Sequence, residues 1–202
     1  MSKRTKSILF SLIVFVVLVI GGKFYMDRIK VDNLYRHGYQ LFEEQIATYL
    51  KEHYSGIRKI EFSPIFISGG NGESFVYARI VPVVYDTYGN KVYLRNDGVL
   101  KMGVADYEMA AGIDLDFNVN DGSEIIYLRN DQKESISVES YQNLPDELKL
   151  NKDEITDEAM EAFSREGHLK GVEKNDQGSP QAEIVYNLEI RRVQGREFYE
   201  WK

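Results

Sequence analysis

Residues 31–54, VDNLYRHGYQLFEEQIATYLKEHY, and the change of pattern that follows them decide the fold. Apolar residues recur here at steps of three and four, which places them on one stripe of a helix: Val31, Leu34, Leu41, Phe42, Ile46, Tyr49 and Leu50. The charged residues fall away from that stripe: Glu43, Glu44, Lys51 and Glu52. Gly56 is suited to end the helix in a left-handed conformation. The sequence therefore predicts a long amphipathic helix.

After Gly56 the period changes to two, which is the pattern of β-strands. Ile57–Ile67 is the first predicted strand, and Pro64 limits its pairing. Ser74–Tyr85 and Lys91–Asn96 are predicted to pair as a hairpin across the turn Asp86–Asn90. Ile113–Asn120 and Glu124–Asn130 form a second predicted hairpin across Asn120-Asp121-Gly122, a favoured turn sequence. Residues 135–138 are a further short strand candidate.

The last third of the sequence alternates between polar linkers and two more elements. A linker begins at Leu144–Leu148, and Thr156–Arg165 is predicted to be a short helix that Gly167 ends. Ala182–Arg192 alternates strictly, so it is predicted to be a strand that turns at Gln194-Gly195 into a closing strand, Arg196–Trp201. The order predicts one α+β domain over residues 27–202, with the long helix packed across a curved antiparallel sheet.

The pentapeptide Tyr-Leu-Arg-Asn-Asp occurs twice, at Tyr93–Asp97 and again at Tyr127–Asp131. Both copies close a predicted hairpin, so a duplicated pair of strands is one interpretation. The flanking residues do not match, and strand-then-turn sequences favour these residue types in this order. Chance or convergence is therefore the other interpretation, and a true array would need about three units.

Residues 8–20, ILFSLIVFVVLVI, are apolar except for Ser11. A full membrane span takes about 20 residues and the core of a signal peptide about 7–15, so the length lies between them. Residues 24–26 extend the apolar stretch beyond Lys23, whose long side chain can reach the headgroups. We expect residues 8–26 to form a retained transmembrane signal anchor. A cleaved signal peptide and a buried core helix are the alternatives.

Basic residues flank this segment on both sides, so its orientation depends on how they cluster. Lys3, Arg4 and Lys6 in the tail 1–7 form a tight group without acids, whereas Asp27 and Asp32 are mixed with the basic residues that follow. We therefore expect the N-terminus inside the cell and the domain outside it, as a single-pass protein of the cell membrane. Nothing between Lys23 and Asp32 breaks a helix, so the anchor is expected to continue into the domain helix.

The composition excludes several functions. The chain carries a net charge of −7, which argues against nucleic-acid binding because that needs a clustered basic surface. Its one basic pair, Arg191-Arg192, is flanked by Glu189 and Glu197. The absence of cysteine excludes disulfides, thiolate metal sites, cysteine nucleophiles and a lipid-modified cysteine. Tyrosine and phenylalanine number 14 and 10, and such residues favour strands.

The strongest metal candidate is the stretch Asp114–Gly122, which presents oxygen ligands at every second residue. It fails the calcium-loop pattern, since counting from Asp116 puts Asp121 where glycine is required and Tyr127 where glutamate is required. A strand explains the same spacing, with Asp114, Asp116, Asn118 and Asn120 facing solvent. Leu115, Phe117 and Val119 would then face the core. We therefore predict no metal site.

Other candidate residues carry no stronger signal. His37 and His53 lie sixteen residues apart on one helix, too far to share a metal, and His168 follows a helix-ending glycine. Gly69–Gly72 lacks the ending of a phosphate loop. Asp153-Glu154 and Asp157-Glu158 could supply an acid and a base, but helix N-termini collect acids for electrostatic reasons. We therefore assign no catalytic, cofactor-binding or metal-binding residue and expect no cofactor.

The order of elements is similar in outline to that of small membrane-anchored bacterial proteins with cystatin-like or NTF2-like domains. This resemblance implies a fold and no function. From the anchor, the aromatic-rich strands and the lack of a catalytic motif, we expect a non-enzymatic domain that binds a protein partner at the cell envelope. The alternatives are an envelope hydrolase that uses carboxylates and the same binding domain secreted after cleavage.

Overall fold

The computed structural model describes residues 3–69, 76–94, 112–193 and 201. The chain divides into two units, Met1–Leu34 and Tyr35–Lys202. One helix, α1, covers Lys3–His53, so the predicted continuation of the domain helix toward the N-terminus is confirmed. Over the described parts of the chain, no helix combines the length and the apolar character that crossing a membrane requires.

Large apolar side chains of the first unit are exposed along most of the described part of the apolar segment. Phe10, Phe15, Leu18 and Ile20 each expose between 65% and 70% of their surface. Beyond Lys23, the exposed fraction of Phe24 is 74%, and Tyr25 and Met26 are similar. Within this unit, the described large apolar side chains of the stretch are therefore left uncovered by protein.

In the second unit, the first five strands after the helix-end strand belong to two sheets. After β1 (Tyr54–Ser55), these strands are β2 (Ile57–Phe62), β3 (Ile65–Gly69), β4 (Val76–Arg79), β5 (Pro82–Asp86) and β6 (Lys91–Tyr93). β2 pairs with β5 and β3 with β4, both antiparallel, and β6 extends β5. Each long predicted strand is thus divided in two, at Ser63-Pro64 and at Ile80-Val81.

The division has a local cause. Proline lacks an N–H for the ladder, so the strand is interrupted at Ser63-Pro64 and the two parts join different sheets. At this interruption the Ser63 Oγ accepts a hydrogen bond from the Val81 N–H at 2.8 Å, so that N–H is not left unpaired. The β2–β5 ladder has a register shift between Ile57 and Lys59, and beyond it the ladder aligns Ile60 with Val84 and Val84 with Val92 as one apolar row.

A second, three-stranded sheet is formed by β7 (Ile113–Phe117), β8 (Glu124–Arg129) and β9 (Ser135–Ser137), all antiparallel. The predicted hairpin across Asn120-Asp121-Gly122 is confirmed, with Gly122 at φ 69. Asp114 and Asp116 are exposed and Ile113 is buried, as alternation requires. The prediction for Val119 is wrong. It lies in the turn and is 97% exposed, because the strand ends at Phe117.

A 3₁₀ turn (Asp146–Leu148) leads to helix α2 (Glu154–Arg165), which begins after the N-cap residue Asp153. β10 (Glu173–Lys174) pairs with β1, and β11 (Glu183–Val185) and β12 (Ile190–Arg192) follow. β11 is parallel to β2 and β12 is parallel to β3. The predicted strand Ala182–Arg192 is thus two strands, and both pair with the first long strand. The turn Gln194-Gly195 and nearly all of the closing strand Arg196–Trp201 lie outside the described residues.

The domain is α+β, with a long helix and mostly antiparallel sheets. One expectation for the helix is wrong: Glu43 is fully buried, although the pattern placed it away from the apolar stripe. Phe42 and Gln45 face the β7–β9 side, where they meet Gly112 and the Arg129 carbonyl. Glu43 faces Asn187, in the connection between β11 and β12. The helix is therefore covered on two sides within this unit.

Candidate functional site

A cavity of about 310 Å³ lies beside α1 in the second unit. It is bounded by the turn between β8 and β9 and by the segment that leads into α2. Four apolar side chains line it: Phe42, Ile46, Leu150 and Ile155. Its polar lining comes from Gln45 and from charged residues of both signs. A mixed lining of this kind is typical of a small-molecule site.

The turn between β8 and β9 is built by Asn130. Its side-chain oxygen accepts hydrogen bonds from the N–H groups of Gln132 and Glu134, at 3.0 and 2.9 Å. Lys133, three residues after Asn130, has φ 63 and is the only described residue other than glycine with a positive φ. The left-handed region is unfavourable for a residue with a Cβ, so this position would favour glycine or asparagine.

Asp131 ties this turn to the opposite wall of the cavity. Its carboxylate accepts hydrogen bonds from the backbone N–H and the side-chain amide of Asn151, at 3.0 and 2.8 Å. The backbone N–H of Lys152 adds a longer contact of 3.4 Å. Both carboxylate oxygens of Asp131 are therefore engaged in holding the wall in place.

Asp153 closes the cavity at the start of α2. One of its oxygens accepts from the N–H groups of Ile155 and Thr156, and the other accepts from the Thr156 hydroxyl at 2.5 Å. Burial raises the pKa of Asp153, and these hydrogen bonds offset part of that rise. The residue is an N-cap whose two oxygens are both used.

Gln45 fixes the inner wall. It is 2% exposed, and its amide nitrogen donates to the carbonyl oxygens of Arg129 and Leu148, at 3.0 and 2.8 Å. Both amide hydrogens are thereby used, so the side-chain oxygen remains as the acceptor that this wall can offer.

Three basic residues line the cavity: Arg129, Lys133 and Lys152. Glu154 lies between the two lysines, with its carboxylate 2.9 Å from the Lys152 ammonium and 4.0 Å from that of Lys133. The hydrogen bond from Lys152 lowers the pKa of Glu154. The side chains of Lys133, Lys152 and Glu154 are each more than half exposed. The ion pairs between them are therefore weak, and another anion can replace Glu154.

A second polar cluster joins the end of α1 to α2. Asp157 accepts hydrogen bonds from the hydroxyls of Tyr49 and Tyr54, at 2.6 and 2.5 Å, and from the Lys174 ammonium at 2.6 Å. Burial alone would raise the pKa of Asp157, but these donors outweigh it and lower the pKa. Burial and the bond to Asp157 raise the pKa of Tyr49 to about 12. The cluster is saturated with internal partners and is structural.

The histidines predicted at the surface lie in different places. His37 is half-buried and bonds to Glu124 and to the Tyr141 carbonyl, at 2.9 and 2.7 Å. His53 lies 3.1 Å from the Leu150 carbonyl, and His168 is exposed beside Glu166. Among the described residues, no three acidic or histidine side chains form a group that could hold a metal ion.

Of the acids singled out in the sequence, Asp153 and Glu154 belong to the cavity, Asp157 belongs to the structural cluster, and Glu158 is exposed. The loop residues 70–72 and most of the first Tyr-Leu-Arg-Asn-Asp copy, residues 95–97, lie outside the described residues. The second copy supplies Arg129, Asn130 and Asp131 of the cavity, which sequence reasoning did not assign to any site.

A comparison of the chain with models of protein families finds no match. Comparisons with curated proteins and with solved structures find no match either.

Proposed function

We propose that this chain is a membrane-attached, non-enzymatic binding protein of the cell envelope whose ligand site is the cavity beside α1. The observation that carries the proposal is the cavity itself, which combines an apolar floor, a fixed amide and a charged rim. Small-molecule sites typically combine an apolar lining with a few fixed polar groups in this way. We also propose that the domain binds a protein partner at the cell envelope.

The attachment is supported by the exposed apolar side chains in the described part of residues 8–26. Apolar surface of this extent is rarely left in water, because its burial is favourable by about 25 cal/mol for each Å². A helix of 19 residues is about 28 Å long, close to the ~30 Å hydrocarbon core. We propose that these residues insert as a retained anchor with the domain outside the cell. Cleavage after insertion, which would release the same domain, is the alternative.

The carboxylates that line the cavity favour binding over the alternative of an envelope hydrolase. A catalytic pair needs one carboxylate with an oxygen free to exchange a proton with substrate. In the cavity, Asp131 and Asp153 use both oxygens to hold its walls, and Glu154 pairs with lysine.

For the fold, we propose the cystatin-like or NTF2-like outline, which the long helix and the antiparallel strands support. An experimental structure with a different strand order would exclude it.

Because the chain lacks cysteine, single cysteines report on topology without background. We would express Ser2→Cys and Tyr88→Cys variants in cells and treat the intact cells with a maleimide that cannot cross membranes. Tyr88 is 73% exposed in the turn between β5 and β6. We expect labelling at position 88, none at position 2 until lysis, and full-length protein in the carbonate-washed membrane fraction.

Other results would overturn parts of the proposal. Labelling at position 2 alone would place the domain inside the cell. A mature protein that begins near Gly22 would replace the anchor with a cleaved signal peptide. Full-length protein that carbonate washing extracts would refute membrane insertion.

A further inference from the structure

We propose that the cavity binds a small amphipathic carboxylate, with its apolar body on the cavity floor and its carboxylate between Lys133 and Lys152. This inference rests on the proposed ligand site and adds the chemical class of the ligand. It depends on three features: the floor, the position of Glu154 and the backbone of Lys133.

The floor sets the body of the ligand. Phe42 and Ile46 come from α1, and Leu150 and Ile155 from the opposite wall. Phe42 and Ile46 are 4% and 2% exposed, so both are fixed by packing. The volume of about 310 Å³ lies at the lower end of the ~300–1,000 Å³ range of ligand pockets. The body is therefore small and apolar.

The position of Glu154 marks where an anion binds. Its carboxylate lies against the Lys152 ammonium at 2.9 Å and within 4.0 Å of that of Lys133. Glu154 is 60% exposed and sits in the first turn of α2, so it can turn toward solvent without disturbing the helix. A ligand whose apolar body lies on the cavity floor would then place its carboxylate where the Glu154 carboxylate was. Both lysine ammonium groups would remain paired with a carboxylate. Charge-assisted pairs of this kind are the stronger hydrogen bonds.

The other acids of the cavity do not oppose an anion in this position. The oxygens of Asp131 and Asp153 accept hydrogen bonds from N–H and O–H donors, which stabilise their charge and hold them against the walls. The carbonyl of Arg129 accepts from Gln45, which fixes that stretch of β8 against the floor. The rim therefore offers its lysines, and not its acids, to a ligand.

The backbone of Lys133 supports a role for its side chain. Its φ of 63 is unfavourable for any residue with a Cβ, and glycine would fit this turn without strain. Strained positions of this kind cluster at ligand sites, where a side chain is needed despite its cost. The left-handed backbone places a long cationic side chain at the mouth of the cavity.

The test uses three soluble probes that share one body and differ in charge: 4-phenylbutyrate, 4-phenylbutanol and 4-phenylbutylamine. Each is titrated into the full chain in lipid nanodiscs, with empty nanodiscs as the control for partitioning. The isoleucine methyl groups are labelled with ¹³C, so that Ile46 and Ile155 report on the cavity and Ile60, buried in β2, reports on the remote core. We expect the butyrate to shift Ile46 and Ile155 and to bind about tenfold more tightly than the alcohol, since one charged hydrogen bond contributes about that factor.

Variants assign the carboxylate to its partners. Lys133→Gly removes the ammonium while relieving the backbone, and Lys152→Glu reverses the other charge. Each is expected to bring the affinity for butyrate down to that of the alcohol. Glu154→Gln removes the internal competitor and is expected to increase the affinity for butyrate. Lys170→Glu is the matched control, because Lys170 is exposed and does not line the cavity.

The outcomes separate this inference from the proposed function. Equal binding of all three probes, with shifts at Ile46 and Ile155, would refute the carboxylate assignment and leave the cavity as a ligand site. Tighter binding of the amine would refute it in the same way. No shift at either residue with any probe would overturn both the inference and the proposed ligand site. A loss of affinity in Lys170→Glu equal to that in Lys152→Glu would show a general charge effect and would refute the specific pairing.

Discussion

Glu43 provides a quantitative prediction because it is a buried acid with little to compensate its charge. It is fully buried on α1, and its one hydrogen bond comes from the Asn187 N–H at 3.1 Å. Among the described residues, its second oxygen has no hydrogen-bond partner. Burial raises the pKa of Glu43 to about 9, and the bond from Asn187 offsets only part of this. The side chain is therefore a neutral acid at pH 7.

The sign of the effect on stability follows from proton binding. The folded protein holds the proton of Glu43 while the unfolded chain loses it near pH 4.5, the ordinary value. The stability from this group is complete below pH 4.5 and is lost as the pH rises toward about 9. Each pH unit in that window costs about 1.4 kcal/mol. At pH 7, about 2.5 units above the ordinary value, the loss amounts to about 3 kcal/mol.

Glu43→Gln tests this reasoning, since an amide has the shape of the protonated acid and does not ionise. We expect the variant and the wild type to be equally stable near pH 4 and the variant to be more stable by about 3 kcal/mol at pH 7. The free energy of unfolding is measured by urea titration with near-ultraviolet circular dichroism at several pH values. Glu158→Gln, which removes an exposed carboxylate from α2, is the control. Parallel stability curves for Glu43→Gln and the wild type would refute the buried neutral acid.

Three further substitutions test other parts of the structure. Lys133→Gly should raise the free energy of unfolding by about 1 kcal/mol, because it relieves the left-handed backbone; a loss of stability in the same urea titration would contradict the strain. Asp86→Ala should lower it by about 3 kcal/mol, since this fully buried carboxylate accepts bonds from Tyr88, Asn90 and the Lys170 N–H. An unchanged melting temperature would contradict that role. Gly56→Ala should lower it by more than about 2 kcal/mol, because Gly56 has φ 79 and its Cβ would meet the Gly171 carbonyl; soluble protein with native hydrogen-exchange protection in β1 and β10 would contradict it.

The elements that could be predicted from sequence are those with a local cause. Gly122 has the left-handed conformation that its turn requires, and Gly89 closes the turn between β5 and β6 at φ 92. Gly56 is also left-handed, at φ 79, but it lies between β1 and β2 and does not end the helix, because α1 ends at His53 and Tyr54–Ser55 is a strand. The helix Thr156–Arg165 was found to within two residues, because acids and the capping Asp153 mark its start. Such signals depend on a few neighbouring residues, so a single sequence contains them.

The pairing of the last strands and the cavity could not be predicted, because both depend on residues that are distant in sequence. Alternation in Ala182–Arg192 indicates a strand but carries no information on its partner. The cavity draws residues from α1, from the β8–β9 turn and from the start of α2. The one local signal was Asp153, which sequence analysis assigned to the electrostatics of a helix start. The positive φ of Lys133 has no signal in sequence, since lysine gives no indication of it.

The burial of Glu43 also follows from the pairing of the last strands. A helix that packs on one sheet leaves its far face in water, and periodicity then separates apolar from charged positions. Here β11 and β12 run parallel to β2 and β3, and the connection between them brings Asn187 against α1. The face that carries Glu43 is thereby covered, while the β7–β9 side meets Phe42. An acid on that face loses its water and keeps its proton, so the pH dependence predicted for Glu43 is a consequence of how the C-terminal strands pair.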